Sequence, residues 1–230
     1  MENERIGDNR VEKRKKVFLK GNTLTEKWQY FKDYYMKAAI LILVVISMLL
    51  ILIKDIYRGT RESIFYALVV NSYTSVPDEF RDGFVAYAGL DDETYNVIID
   101  STMKINVEML DDMTRNYMQE VIAISSTKKQ DIFLADQQVI DYYWDAEYIV
   151  DIREYLPEEV WSAYEEQFYY REDKEGNQVP AGIIVADSPK LAEFGMYEYQ
   201  NPILSVVYMA PDAENIAAFL SYLYDKKDIE

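Results

Sequence analysis

The longest unbroken apolar run of the chain lies near its amino end, where residues 38–53 read AAILILVVISMLLILI and carry no charge. Aromatic residues flank this run on both sides, and Lys37 and Lys54 are long enough to reach a membrane surface from its ends. As one helix, residues 34–57 would measure roughly 36 Å, which exceeds a hydrocarbon core of about 30 Å. A buried helix of a soluble protein usually keeps a polar face, and this run has none. The pattern therefore predicts a transmembrane helix over residues 34–57.

Charge is divided unevenly about this run. Residues 1–37 hold ten Lys or Arg against six Asp or Glu, a net +4, whereas the rest of the chain holds 14 against 35, a net −21. By the positive-inside rule, residues 1–33 are predicted to be a basic cytoplasmic leader. The protein is then a single-pass protein of the cell membrane with its carboxyl-terminal part extracytoplasmic. The segment VEKRKK sets this topology or also attracts anionic lipid, and a cleaved signal peptide is disfavoured by the long leader.

The next segments mix helical and strand-like spacing. RESIFYALVVNSY is apolar at Ile64, Phe65, Leu68 and Val69, a helical spacing, and a proline follows it. Residues 58–80 are therefore predicted to be a stalk or the first helix of the domain. Strands are predicted at GFVAYAGL, TYNVIID and KINVEML.

From residue 111 onward, strand-like and helical segments alternate. DDMTRNYMQEVIAISS predicts a capped amphipathic helix. REYLPEEVWSAYEEQFYY carries a Pro followed by two Glu, the usual first turn of a helix. REDKEGNQ predicts a hairpin or a surface loop. The order strand, helix, strand, helix predicts an α/β fold with a mixed, partly parallel sheet. The remaining predicted strands are DIFLA, AGIIVAD and ILSVVYMA, and the remaining predicted helices are QQVIDYY, SPKLAEFGM and DAENIAAFLSYLYD.

The amino-acid composition excludes several kinds of catalytic and metal-binding site. The chain has no Cys and no His, which excludes thiol nucleophiles, disulfides, imidazole bases and the common zinc ligand sets. A net −21 beyond the apolar run would repel phosphate, so no nucleic-acid partner is expected. The four glutamates at 158, 159, 165 and 166 are expected to form a solvated helix face, not a glycosidase pair. No loop matches the calcium pattern. We predict a protein that is not an enzyme and that needs no cofactor or metal.

The stretch YMQEVIAISSTKKQDIFLADQQVIDYYWDAEYIVDIREYLPEEV, with VPAGIIVADSPKLAEF and ENIAAFLSYLYD after it, resembles the extracellular solute-binding proteins of bacterial ABC importers. The resemblance covers residues 81–225 and implies that residues 81–230 form one extracytoplasmic, periplasmic-binding-protein-like lobe. Two departures stand out: there is room for little more than one lobe, and no lipoprotein cysteine is present. The implied function is a membrane-tethered binding module that recognises a small solute or assists a transporter. The alternative is a non-catalytic interaction protein of a cell-envelope complex that has lost the cleft.

The same resemblance implies where a ligand would lie. In such a lobe the ligand face is at the carboxyl ends of the strands, where Asp136, Asp187 and Ser188 fall. Tyr143 belongs to a cluster of aromatic residues that suits a sugar or a peptide, or else packs in the core. Each Asp precedes a predicted helix and is also expected to be its N-cap. Because these carboxylates hold the place of an anion, a ligand there is expected to be neutral or cationic.

Overall fold

A computed structural model of the protein describes residues 23–59, 61–197 and 200–226, and the chain divides into two compact units after residue 60. In the first unit, α1 (Leu24–Tyr34) and α2 (Met36–Gly59) are separated by Tyr35. The stretch Met36–Lys54 of α2 is long and apolar enough to span a membrane. A helix therefore occurs where the apolar run predicts one. The predicted leader lies mostly outside the described residues.

The second unit is built on a six-stranded sheet with the order β2-β1-β3-β6-β5-β4. Strand β1 is parallel to its neighbours β2 and β3, whereas β6 is antiparallel to β3 and β5, and β4 is antiparallel to β5. The predicted α/β fold with a mixed, partly parallel sheet is confirmed. The strands are β1 (Ser63–Val69), β2 (Asn96–Asp100), β3 (Ile132–Ala135), β4 (Phe168–Glu172), β5 (Gln178–Ile184) and β6 (Ile203–Val206).

Helices cover both faces of this sheet. Two separate apolar cores result, because β1 is buried on both sides: Phe65 packs against Phe84 and Phe219 on one face, and Leu68 joins the core of Phe133 on the other. α3 and α8 lie on the first face, and α4 and α5 on the second. The helices are α3 (Asp78–Ala88), α4 (Asp112–Ser126), α5 (Gln137–Asp145), α6 (Glu158–Trp161), α7 (Pro189–Glu193) and α8 (Ala213–Leu223), with 3-10 turns at Ile152–Glu154 and Ser162–Gln167.

The prediction for residues 58–80 is wrong in kind. The segment contains β1, an inner strand of the sheet, and only its ends belong to helices, the last two residues of α2 and the first three of α3. A strand buried on both faces loses its period of two, so its apolar residues also match a helical spacing. GFVAYAGL, predicted as a strand, is the second half of α3.

Two further predictions are corrected. KINVEML forms no strand, although its alternation is real: Met103 and Ile105 are buried and Lys104 is exposed. The predicted long helix from Pro157 is only α6, a 3-10 turn and then β4. The segment after it forms the predicted hairpin between β4 and β5.

Side chains reach the two outer strands of the sheet. On β2, the carbonyl oxygen of Val97 accepts a hydrogen bond from Nε of Arg81 at 3.0 Å. On β4, the carbonyl oxygen of Glu172 accepts one from Nε1 of Trp144 at 2.9 Å. Arg81 comes from α3 and Trp144 from α5, so each face of the sheet supplies the donor for one edge.

Candidate functional site at the carboxyl edge of the sheet

An open crevice of about 640 Å³ lies at the edge of the sheet where the parallel strands end, which we call the carboxyl edge. Beyond β1 the chain passes to α3 on one face, whereas beyond β3 it passes to α5 on the other face. Connections that part in this way leave a gap between adjacent strand ends, the usual ligand site of open α/β sheets. The volume falls within the range of small-molecule sites, about 300–1,000 Å³.

Asn71 organises this crevice. It follows β1 in the left-handed conformation, with φ at 61°, which Asn tolerates better than most residues. Its amide group donates to the carbonyl of Ile105 at 2.8 Å and accepts from the N–H of Ile105 at 2.8 Å. The side chain thus pairs with the backbone as a neighbouring strand would, and it holds the segment after β2 across the carboxyl edge.

Asp136 stands on the other side of the gap, directly after β3. Its Oδ2 accepts from Nδ2 of Asn71 at 2.6 Å, and its Oδ1 accepts from the backbone N–H of Val139 at 3.2 Å. The second bond makes Asp136 the N-cap of α5, as predicted. Because the carboxylate is only half-buried, it caps the helix and also lines the crevice.

Two further charged groups line the crevice. Asp111 caps α4 by accepting from the N–H of Thr114 at 2.7 Å, and hydrogen bonds from Thr114 lower the pKa of this carboxyl group. Lys104 donates from Nζ to the carbonyl of Ser72, and desolvation lowers the pKa of its ammonium group. With Asp136 the lining carries two carboxylates against one ammonium. Its charge balance therefore disfavours an anionic ligand.

Most of the other polar lining consists of amide side chains. An amide both donates and accepts hydrogen bonds, so such a lining can pair with hydroxyl or amide groups of a neutral solute. The Oε1 atom of Gln200 is buried and has no hydrogen-bond partner among the described residues. The six amide side chains are Asn71, Asn106, Gln137, Gln138, Gln200 and Asn201.

Tyr197 fills the gap between the strands at the same edge. Its hydroxyl group donates to the carbonyl of Val70, just after β1, and lies 3.2 Å from the carbonyl oxygen of Leu134 in β3. The side chain is buried, and desolvation raises the pKa of the phenol well above its usual value. Tyr197 therefore ties the ends of β1 and β3 together at this edge without lining the crevice.

Asp187 and Ser188 also lie at the carboxyl edge, beyond β5, but neither lines the crevice. Ser188, not Asp187, is the N-cap of α7: its Oγ accepts from the N–H of Leu191 at 3.2 Å and donates to the carbonyl of Leu223 at 2.8 Å. The capping role predicted for Asp187 is therefore wrong. Its exposed carboxylate instead accepts from the hydroxyl of Tyr224 at 2.6 Å and from Nε2 of Gln167 at 3.0 Å.

Tyr143 is a core residue. It is 4% exposed, its ring lies 4.9 Å from that of Phe133, and desolvation raises the pKa of its hydroxyl group. That hydroxyl is buried and has no partner within the described part of the chain. Of the four predicted ligand residues, the structure thus places only Asp136 at the crevice, and it adds Asn71, which sequence reasoning missed.

Within residues 23–59, 61–197 and 200–226, no group of three or more Asp or Glu side chains is arranged to hold a metal ion. No protein-family model matches the chain, no curated protein sequence matches it, and no solved structure matches its fold. What the protein does is therefore inferred from its own residues.

Proposed function

We propose that the protein is a membrane-tethered binding module whose domain outside the membrane takes a small polar solute in the crevice. The anchor is α2, whose apolar stretch Met36–Lys54 is exposed along its whole length within the fold. The net +4 before the anchor and the net −21 after it support a cytoplasmic leader and an extracytoplasmic domain. The domain then corresponds to one periplasmic-binding-protein-like lobe, and a transporter in the same membrane is the natural partner.

The crevice between β1 and β3 is the observation that carries this proposal. It is open, it lies where the connections from adjacent parallel strands part, and six amide side chains line it. Asn71 and Asp136 are already fixed by their mutual hydrogen bond, so little side-chain order has to be gained when a ligand binds. The expected ligand is neutral or cationic, with several hydroxyl, amide or amine groups.

A second candidate function is docking of another envelope protein on the carboxyl edge. Three large apolar side chains beside the crevice are exposed: Met109 at 65%, Leu110 at 47% and Met113 at 60%. The crevice is open to solvent, which also suits a surface that is covered by another protein. Under this alternative the crevice has lost its ligand.

Thermal shift of the full chain in nanodiscs tests the first function. Neutral sugars, amino acids, primary amides and polyamines are added singly to the wild type, to Asp136→Asn and to Asp187→Asn. We expect one class to raise the melting temperature of the wild type and of Asp187→Asn, and to raise that of Asp136→Asn less, since Asp187 lies outside the crevice. No shift with any class, together with a membrane protein that copurifies with the wild type and is lost on Met113→Asp, would favour docking.

A reporter fused after residue 230 tests the orientation. An enzyme that is active only outside the membrane should be active in this fusion, and a matched enzyme active only in the cytoplasm should be silent. The opposite result would overturn the extracytoplasmic placement of the domain without touching the crevice.

A further inference from the structure

Asn71 presents an acceptor but no free donor to the crevice at the carboxyl edge. Both hydrogen atoms of its Nδ2 group are already donated, one to the carbonyl of Ile105 at 2.8 Å and one to Oδ2 of Asp136 at 2.6 Å. Its Oδ1 atom accepts from the N–H of Ile105 at 2.8 Å. Because an amide nitrogen carries two hydrogen atoms and an amide oxygen accepts two bonds, a ligand can only donate to Asn71.

Asp136 has unused acceptor capacity on the other side of the gap. A carboxylate oxygen can accept two hydrogen bonds, and Oδ1 and Oδ2 of Asp136 each accept one, from Val139 and from Asn71. Lys104 also lines the crevice, but its ammonium group donates to the carbonyl of Ser72. No ion pair to Asp136 occurs among the described residues, so no described Lys or Arg neutralises this carboxylate.

Gln200 adds a buried acceptor to the same lining. Its Oε1 atom is buried and has no hydrogen-bond partner among the described residues. A buried acceptor without a donor is unfavourable, so a ligand that supplies a donor there gains affinity. An ammonium group carries three hydrogen atoms on one nitrogen and a positive charge. It can therefore donate to more than one of these acceptors and pair with the Asp136 carboxylate, and such charge-assisted hydrogen bonds are the strong ones.

The helix N-termini beside the crevice do not reverse this preference. α4 and α5 each contribute about half a positive charge at the first turn. Asp111 and Asp136 meet that charge, because an Oδ1 atom of each accepts from an N–H of the first turn, at 2.7 Å and 3.2 Å. At longer range, the net −21 of the chain beyond residue 37 attracts cations and repels anions. A ligand with an ammonium group and no carboxylate therefore suits the crevice best.

We propose that the crevice recognises a small primary amine, with Asp136 as the counter-ion of its ammonium group and Oε1 of Gln200 as a further acceptor. This inference rests on the proposed function, since it names the class of solute that the same crevice takes. Hydroxyl groups of the amine pair with the other amide side chains of the lining. Amino alcohols and amino sugars are thus expected to bind, and amino acids to bind less well.

Isothermal titration calorimetry of the full chain in phosphatidylcholine nanodiscs tests the proposal with two matched pairs of solutes. The compounds 3-aminopropane-1,2-diol and glycerol differ only by an ammonium group in place of a hydroxyl group, and so do glucosamine and glucose. At pH 7 the amine of at least one pair should bind about tenfold more tightly than its neutral counterpart. Empty nanodiscs give the background for each solute.

Two variants assign this preference to its residues. Asp136→Asn keeps an oxygen for the helix cap and removes the charge, so the affinity for the amine should fall about tenfold and that for the neutral counterpart should stay within about twofold. Gln200→Leu removes an acceptor that bonds to no described group, so it should weaken the amine about threefold without disturbing the fold. Asp187→Asn, the same change at the same edge but outside the crevice, should bind the amine as the wild type does.

The possible failures separate this inference from the proposed function. A neutral counterpart that binds as tightly as its amine, or an amine affinity that is unchanged in Asp136→Asn, would overturn the amine and leave the crevice as a site for a neutral solute. An equal loss in Asp187→Asn would assign the amine to the general negative charge of the domain. If none of the four solutes binds, the amine is overturned, and the proposed function stands only if a neutral class still raises the melting temperature in the thermal-shift series.

Discussion

Asp131 and Asp136 flank the same strand, β3, yet the structure treats their carboxylates in opposite ways. Asp136 at the carboxyl edge is half-buried, caps α5 and shares a hydrogen bond with the side chain of Asn71. Asp131 at the other end is fully buried and accepts from the N–H groups of Tyr66 at 2.9 Å and Asp212 at 3.2 Å. No ion pair to Asp131 occurs within the described ranges.

The difference lies in desolvation. Burial, together with the nearby Asp212 carboxylate, raises the pKa of Asp131 to about 7, although the hydrogen bonds from its two backbone donors lower it. Asp131 connects β1, β3 and the start of α8 through its hydrogen bonds, and so stabilises the fold. Near neutral pH its carboxylate is ionised and buried without an opposite charge, which is destabilising. Asp136 keeps contact with solvent and with a side chain that a ligand can also reach. One end of β3 thus favours stability at low pH, whereas the other presents a carboxylate to the crevice.

The largest expected effect is on the pH dependence of folding. The pKa of Asp131 is about 7 in the folded protein and 3.8 in the reference state, so its contribution to stability is complete below pH 3.8 and is lost as pH rises through 7. We expect the free energy of unfolding to fall by about 4 kcal/mol between pH 4 and pH 8 through this group. Urea denaturation across that range measures the slope.

Asp131→Asn is the matched variant for that curve. It keeps an acceptor oxygen and cannot ionise, so the fall in stability between pH 4 and pH 8 should largely disappear. Asp91, Asp111 and Asp173, whose pKa values are lowered by hydrogen bonds, lose their contribution only as pH falls through those lowered values. A variant with the same slope as the wild type would show that Asp131 does not control the curve.

Asn71→Ala should have the next largest effect, because it disrupts the contact that Asp136 makes across the crevice. It removes both hydrogen bonds to Ile105 and the one to Asp136, and it places Ala at a φ of 61°. We expect a loss of about 3 kcal/mol in the free energy of unfolding, measured in urea at pH 7. Asn106→Ala is the control: its side chain accepts only from the exposed N–H groups of Glu108 and Met109, so about 0.5 kcal/mol is expected. Equal losses of unfolding free energy in Asn71→Ala and Asn106→Ala would show that Asn71 does not organise the crevice.

The smallest effect separates the two aspartates that were predicted together. Asp136→Ala should lose about 1 kcal/mol with the N-cap, and Asp136→Asn about half of that or less. Asp187→Ala should lose less than about 0.5 kcal/mol, because Asp187 is exposed and caps no helix. Thermal denaturation of the three variants checks the order. A larger loss for Asp187→Ala would mean that the contact with Tyr224 contributes more than the cap.

Two prolines show which helix starts can be predicted from the sequence and which cannot. Pro157 precedes Glu158 and Glu159 and was correctly predicted to begin a helix, although the helix ends after one turn. Pro77 precedes Asp78 and Glu79 in the same pattern, yet it was interpreted as the end of a helix. The same signature opens α3, and the error displaced β1 and α3 together. A proline followed by two acidic residues therefore marks the start of a helix at both places. It was misinterpreted at Pro77 because β1, which is buried on both faces, has no period of two that would identify it as a strand.

Of the two residues that are joined across the crevice, only Asp136 could be predicted from the sequence. Asp136 follows a short apolar strand and opens a helix, a pattern that can be found in the sequence alone. Asn71 could be identified only once β1 was known to be a strand, since its importance comes from its place beyond a strand end and its contact with Ile105, 34 residues later. Tyr143 was chosen for its aromatic neighbours, and tertiary packing put those rings in the core.

The hydrogen bonds from Arg81 and Trp144 to the outer strands have a consequence for crowding. An outer strand with free carbonyl groups can pair with the same strand of another copy, which leads to aggregation. Here the carbonyl groups of Val97 and Glu172 are already occupied by side chains from the helical layers. A neighbouring copy would have to displace a guanidinium group at one edge and an indole at the other before a continuous intermolecular sheet could form. Each outer strand thus has one of its carbonyl groups blocked by a side chain of the same domain.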